Sequence, residues 1–349
     1  MEFGMFHEFQ WSPGESERAA FAHSFEQVDA AERWGLDAMW LAELHFAPER
    51  SVLSAPLMVG SAIAARTRRM KIGTAVQVLP LCHPLRLAEE AATLDQISEG
   101  RLIFGVGRSG FPRTYEAYGV PYEESRERFA ETLEIVRRAW TEPSFSHQGK
   151  FFRYDKVALV PKPWQKPHPP IRIAATSADT FATIGTLGHA IFVAARLGTL
   201  SELAPLVRSY REAYRTAGHA GSGEVYLRVP VYVAETARQA RDEPEASIMR
   251  LLRTVGALIG DSAKHAGARA VEQRAERGQH LQTVTYEEAL RDKVIVGTPE
   301  MVVERLQQLR AELGLDGILA ELNPGSLIPH ERVMNALQLL CQKVMPAFK

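Results

Sequence analysis

Cysteine is nearly missing from this sequence: Cys82 and Cys341 are the only two in 349 residues. Two thiols are too few for a disulfide scaffold or a cysteine-built metal site. Excess charge is missing as well. With 41 basic side chains against 42 acidic ones, the net charge is −1 and the pI about 6.9. Neither nucleic acid nor an anionic membrane has an electrostatic reason to bind such a chain. No apolar run approaches the roughly 20 residues of a membrane helix. Residues 1–9 are a short segment that already carries Glu2 and Glu8, which does not read as a signal peptide. There is no internal repeat, and no grouping of histidines and carboxylates has convincing metal spacing. These absences lead to the expectation of a soluble cytoplasmic protein.

What is present is an alternation, and residues 71–110 carry it most plainly. An apolar run over 72–79 stops at Pro80. A helical stretch follows, with Leu87, Ala88, Ala91 and Leu94 as its apolar positions. Gly100 ends it, and a second apolar run over 102–106 begins at once. Strand, helix and strand in this order imply a parallel sheet. The same pattern predicts strands over 3–9, 37–42, 72–79, 102–106, 171–175, 190–194, 225–234 and 316–322. Ser16 is placed to cap the first helix and Gly35 to stop it, and one helix is expected over 237–258. Thr298 and Pro299 open a late helix as N-cap and first residue. Eight strands alternating with helices fit a single-domain (β/α)8 barrel spanning 1–349. Two stretches break the rhythm. The proline-rich 141–170 reads as an excursion on the barrel rim, and the polar, weakly periodic 260–293 as a mobile lid.

Barrels keep their chemistry at the carboxyl ends of the strands. Arg108 follows the fourth strand there, next to the bare backbone of Gly105, Gly107 and Gly110, a setting that suits a phosphate-bearing ligand. The glycines spell GxGxxG, but Phe111-Pro112 stands where a dinucleotide site needs an opening helix. Thr176 and Ser177 follow the fifth strand at a helix start, where an N-cap and a phosphate can share the same N–H groups. Glu43 and His45 end the second strand on one side, with Leu44 on the other. Arg196 and Glu321 face the same rim as weaker candidates, His83 reads as a turn or capping residue, and His280 as an exposed residue of the lid.

Several motifs run through the chain in order: Trp40-Leu41-Ala42-Glu43-Leu44-His45-Phe46, Gly73-Thr74-Ala75-Val76, Leu79-Pro80, His83-Pro84, Leu94-Asp95-Gln96, Gly100-Arg101, Val296-Gly297-Thr298-Pro299-Glu300 and Val344-Met345-Pro346. In these the sequence resembles the bacterial luciferase family of flavin-dependent monooxygenases. The resemblance implies a barrel that takes reduced FMN (FMNH2) from a separate reductase and activates O2 as a flavin C4a-(hydro)peroxide. Leucine at position 44 makes the wall of the site there apolar, which suits a small, hydrophobic organic substrate. The resemblance places Arg108 and Ser177 on the FMN phosphate, and a cis peptide bond between Ala75 and Val76 against the flavin ring. Thr176 stands where a glutamate is often found, and Gly107 replaces a cysteine under the flavin, which would open space. Leu44 stands where luciferase has its catalytic histidine, so His45 and Glu43 become the catalytic candidates. A homodimer through the helices at 56–65 and 85–97 is implied too. Two alternatives stay open: hydride transfer with a deazaflavin, and a noncatalytic flavin-binding or partner subunit, which Leu44 keeps in play.

Overall fold

The computed structural model describes residues 1–48, 50–175, 177–194, 199–263 and 268–349. Among these, the strands are β1 (Glu2–His7), β2 (Ala38–Leu41), β3 (Lys71–Thr74), β4 (Gln77–Val78), β5 (Leu102–Gly107), β6 (Phe145–Gln148), β7 (Arg153–Val157), β8 (Ile171–Ala174), β9 (Ala190–Ala194), β10 (Val225–Val233), β11 (Ile295–Gly297) and β12 (Gly317–Glu321). In the order β1, β2, β3, β5, β8, β9, β10, β12 they pair in parallel, and β12 pairs back to β1. The ring is an eight-stranded barrel built from the eight expected strands. Strands covered on both faces need no alternation, which is why they read as continuous apolar runs.

The helices are α1 (Glu17–Arg33), α2 (Pro56–Arg66), α3 (Pro84–Ile97), α4 (Pro112–Ala117), α5 (Ser125–Thr141), α6 (Ala178–Leu187), α7 (Leu203–Thr216), α8 (Ala237–Asp242), α9 (Glu245–Ser262), α10 (Ala268–Thr283), α11 (Tyr286–Asp292), α12 (Pro299–Leu313) and α13 (His330–Leu339). Ser16 caps α1, accepting from the Ala19 N–H at 3.2 Å, and Gly35 leaves the helix at φ +87°. Thr298 is the N-cap of α12, but its hydroxyl bonds Glu300 at 2.8 Å rather than the helix backbone.

Two expectations are corrected. The strand over 72–79 is cut into β3 and β4 by a cis peptide bond between Ala75 and Val76. The helix over 237–258 is two helices, because Pro244 has no N–H to continue α8 and instead begins α9. The polar stretch 260–293 carries the end of α9, then α10 and α11. There α9 and α10 approach through facing glycines: a Cβ on Gly256 would lie 2.7 Å from the Gly278 carbonyl, and one on Gly278 2.8 Å from the Gly256 carbonyl. The 141–170 excursion contains the antiparallel β6–β7 hairpin, anchored to α5 where Glu131 accepts from the N–H of Phe152 at 2.8 Å.

The barrel interior is filled from below. Trp40 lies across β1 and β3 at two glycines. A Cβ on Gly4 would come within 2.3 Å of its indole, and one on Gly73 within 2.1 Å. Phe6, Ile103, Phe192, Tyr226 and Leu319 complete this inner cluster, and Arg172 stacks on Tyr226 with 3.4 Å between guanidinium carbon and ring centre. Leu44, Ala75 and Val76 pack on its upper surface and form the floor of the barrel mouth.

Candidate active site

Glu43 and His45 lie beyond the end of β2, where the chain has left the sheet. They meet as simple alternation requires: His45 Nε2 is 2.8 Å from Glu43 Oε1. Glu43 Oε2 accepts from the Val78 N–H at 2.8 Å and from the Gln77 side chain at 2.5 Å. The cis bond at Ala75–Val76 immediately precedes these two donors. Leu44 turns the other way, onto the inner cluster. On its far side the His45 ring meets Tyr118, whose hydroxyl oxygen is 3.1 Å from Nδ1. Glu43, Leu44, His45, Phe111, Leu251 and Leu258 border a cavity of about 420 Å³. Cys82 sits behind Gln77, and burial, with the Glu43 charge adding to it, pushes its thiol up to about 12.

Arg108 follows β5 on the neighbouring side of the mouth. Its guanidinium donates to Ser125 Oγ at 3.0 Å, and among the described residues no carboxylate pairs with it. Burial lowers its pKa from the ordinary arginine value, with Arg126 and Arg274 adding to the effect and Tyr122 and Tyr115 opposing it. A cation that is desolvated without a counterion is the electrostatic signature of an anion site. Arg108 and Arg126 share a second cavity, of about 660 Å³, with Phe129, Leu133, Thr180 and Ile184 between α5 and α6. Ser177 is the N-cap of α6, and its hydroxyl donates to Asp179 at 2.5 Å. Asp179 in turn holds Arg126 at 2.9 Å. The chain thus brings Arg108, Arg126 and the amino end of α6 to one place.

Gly107 opens no space. A Cβ there would lie 2.5 Å from Cγ2 of Val76, so the volume that a side chain would take is already filled by valine. Thr176 and Arg196 lie outside the described residues. Glu321 is buried in a separate network, paired with Arg228 at 2.9 Å, and Arg228 also reaches Glu8, which holds Arg50. His83 precedes α3 without capping it through its side chain, and its Nε2 lies 3.4 Å from the Tyr154 hydroxyl. His280 is exposed. Sequence reasoning missed Gln77, Tyr118, Arg126 and Thr180. Only Arg126 carried a signal, as an arginine in the first turn of α5, the second helix after Arg108.

A luciferase-like monooxygenase family profile matches residues 1–317. The chain belongs to the luciferase-like monooxygenase family. Its relatives include the oxygenase component of a flavin-dependent trigonelline monooxygenase from Acinetobacter baylyi, 25% identical over 100% of this chain and 96% of that protein. An FMNH2-dependent dimethylsulfone monooxygenase from Pseudomonas putida is 26% identical over 87% of this chain and 80% of its own length. Among solved structures, monooxygenase RslO1 from Streptomyces bottropensis superposes with a TM-score of 0.80 at 27% identity, covering 100% of both chains. The two flanks of the mouth differ: one brings together Arg108, Arg126 and the amino end of α6, the other a carboxylate and an imidazole engaged with each other.

Proposed function

We propose that this protein is the oxygenase component of a two-component monooxygenase, which binds reduced FMN from a separate reductase and uses O2 to oxygenate a small hydrophobic substrate. The observation that carries this reading is Arg108, a desolvated guanidinium with a hydroxyl partner and, among the described residues, no carboxylate, beside Arg126 and the amino end of α6. The residues present fit FMN. Arg108, Arg126 and Ser177 would hold the phosphate, and the Leu44, Ala75 and Val76 surface would face the ring with Gly107 behind it. Bound flavin supplies the electrons and the site of O2 activation. The protein's own part is to exclude water with the apolar lining of Leu44, Phe111, Leu251 and Leu258, and to hold or move a proton at Glu43 and His45.

Leu251 and Leu258 of α9 supply one wall of this site, and we read the segment that follows, 260–293, as the element that opens for ligand. It is tied to the rim by Arg113 and Asp261 at 3.0 Å and by Arg274 and the Tyr122 hydroxyl at 3.3 Å. The apolar exposure of Met58 on α2 and Ile97 on α3 is consistent with a homodimer through those helices. A cytoplasmic location completes the reading.

Anaerobic titration tests it. Reduced FMN is expected to bind more tightly than reduced riboflavin by about 1.5–3 kcal/mol, the range for hydrogen bonds to a charged group. Equal affinity for the two would remove the phosphate site. Preference for a reduced deazaflavin, or FMNH2 binding with no O2 consumption beyond that of free flavin, would replace the proposal by a hydride-transfer enzyme or a binding subunit.

A further inference from the structure

We propose that Tyr118 is the solvent-side terminus of a proton relay running through His45 to Glu43. The inference rests on the reading of Glu43 and His45 as proton-handling groups and adds a member that neither the motifs nor the family match assigns. The hydrogens of the cluster fix the direction of each bond. The Val78 N–H can only donate, and Gln77 turns its NH2 to the same oxygen, so Glu43 Oε2 is an acceptor supplied from the chain. Oε1 is left facing His45 Nε2 at 2.8 Å. A carboxylate held by these donors keeps a proton on Nε2, and Nδ1 of the neutral ring is then an acceptor. The group opposite Nδ1 is the Tyr118 hydroxyl, at 3.1 Å. Burial raises the Tyr118 pKa above that of a free tyrosine, and the Glu43 and Cys82 charges add to this, so an O–H is available through neutral pH.

Exposure grades along the cluster as a relay needs. The Glu43 side chain is 4% exposed, that of His45 10%, and Tyr118 as a whole 46%. The rings are held edge to face, with centres 5.1 Å apart for His45 and Tyr118. Phe46 leans on both, from a left-handed backbone at φ +53° that is uncommon for a bulky residue. In the transfer, a solvent proton binds the Tyr118 oxygen as the hydroxyl's own proton passes to Nδ1, and the Nε2 proton passes to Glu43 Oε1. Only O–H and N–H bonds change, and no oxidant is involved. Among the described residues, the other titratable groups facing the cluster are Cys82 behind Gln77, Tyr115, and Arg50, Arg113 and Arg250 on the cavity wall.

Tyr118→Phe removes the hydroxyl and keeps the ring packing. Its effect is read in two ways. In ligand-free protein with 15N-labelled histidine, His45 (assigned with His45→Ala) is expected as the Nε2–H tautomer, with an Nδ1 resonance that shifts in Tyr118→Phe. In protein loaded with chemically reduced FMN, reoxidation by O2 is followed against pH. There Tyr118→Phe is expected to slow the reaction at least about tenfold, short of the 10²–10⁴ of a complete acid–base group, and to displace the pH inflection of the parent. An Nδ1–H tautomer in the parent, or a Tyr118→Phe pH profile superposing on it, overturns the relay. If Glu43→Gln alters reoxidation while Tyr118→Phe does not, the relay fails and the proposed function stands. If reduced FMN does not bind, the proposed function fails, and the histidine spectrum alone decides whether Tyr118 holds Nδ1.

Discussion

The two flanks of the barrel mouth are built in opposite ways. On the His45 side the carboxylate and the imidazole are both answered from within the chain: Glu43 by Val78, Gln77 and His45, and His45 by Tyr118, while Gln77 Oε1 has no partner among the described residues. On the Arg108 side a half-buried guanidinium has, among the described residues, only the Ser125 hydroxyl as side-chain partner. Its neighbour Arg126 is held by an exposed aspartate that a stronger anion could displace. A saturated cluster holds geometry and protons and has little to gain from a ligand. An unsaturated cation is stabilised by what arrives from outside. Stability and binding should therefore respond to mutation in opposite senses on the two flanks.

The largest effect should come from Glu43→Ala, which strands the Gln77 amide and the Val78 N–H in a closed site and frees His45. At about 1–3 kcal/mol for each buried group left unpaired, a loss of roughly 3 kcal/mol in urea unfolding is expected. A change below about 1 kcal/mol would mean that the cluster is wet and interchangeable, and the contrast between flanks would dissolve. Arg108→Leu should do the reverse. Replacing a desolvated charge by an apolar group is expected to leave stability unchanged or raised, while weakening FMN binding by about 1.5–3 kcal/mol. If riboflavin binding falls equally, the guanidinium touches the ring side rather than the phosphate. The smallest effect should be that of Asp179→Asn. Freeing Arg126 from an exposed pair should tighten FMN binding by under about 1 kcal/mol, and the gain should fade with added salt. Weaker binding would instead make the aspartate part of the cradle.

The barrel was legible because its strands are short continuous apolar runs separated by helices with capping residues at their ends. The facing of Glu43 and His45 followed from alternation alone, and the cis bond at Ala75–Val76 from the family resemblance. What was not legible depends on contacts between distant parts of the chain. Tyr118 meets His45 across 73 residues, and no local pattern marks it. Gln77 was hidden inside a run that reads as one strand. The break at Pro244 was available in the sequence but was overridden by the helical pattern on both sides of it. The role of Gly107 was misjudged because the absence of a side chain says nothing about which neighbour fills the space, and here it is Val76. The helical content of 260–293 was masked by glycines, which weaken a helix pattern in sequence yet let α9 and α10 approach closely.

The indole of Trp40 sits where side chains on Gly4 and Gly73 would have to go. The three positions therefore behave as one inherited unit. Enlarging either glycine alone collides with the indole, and shrinking the tryptophan alone leaves a hole under the barrel mouth. Only a paired exchange restores the packed volume, so the effects of changes here do not add and can reverse sign with genetic background. Any sequence that drifts away from this floor has to pass through a less stable intermediate, which isolates the barrel's interior from gradual change while its rim stays free to vary.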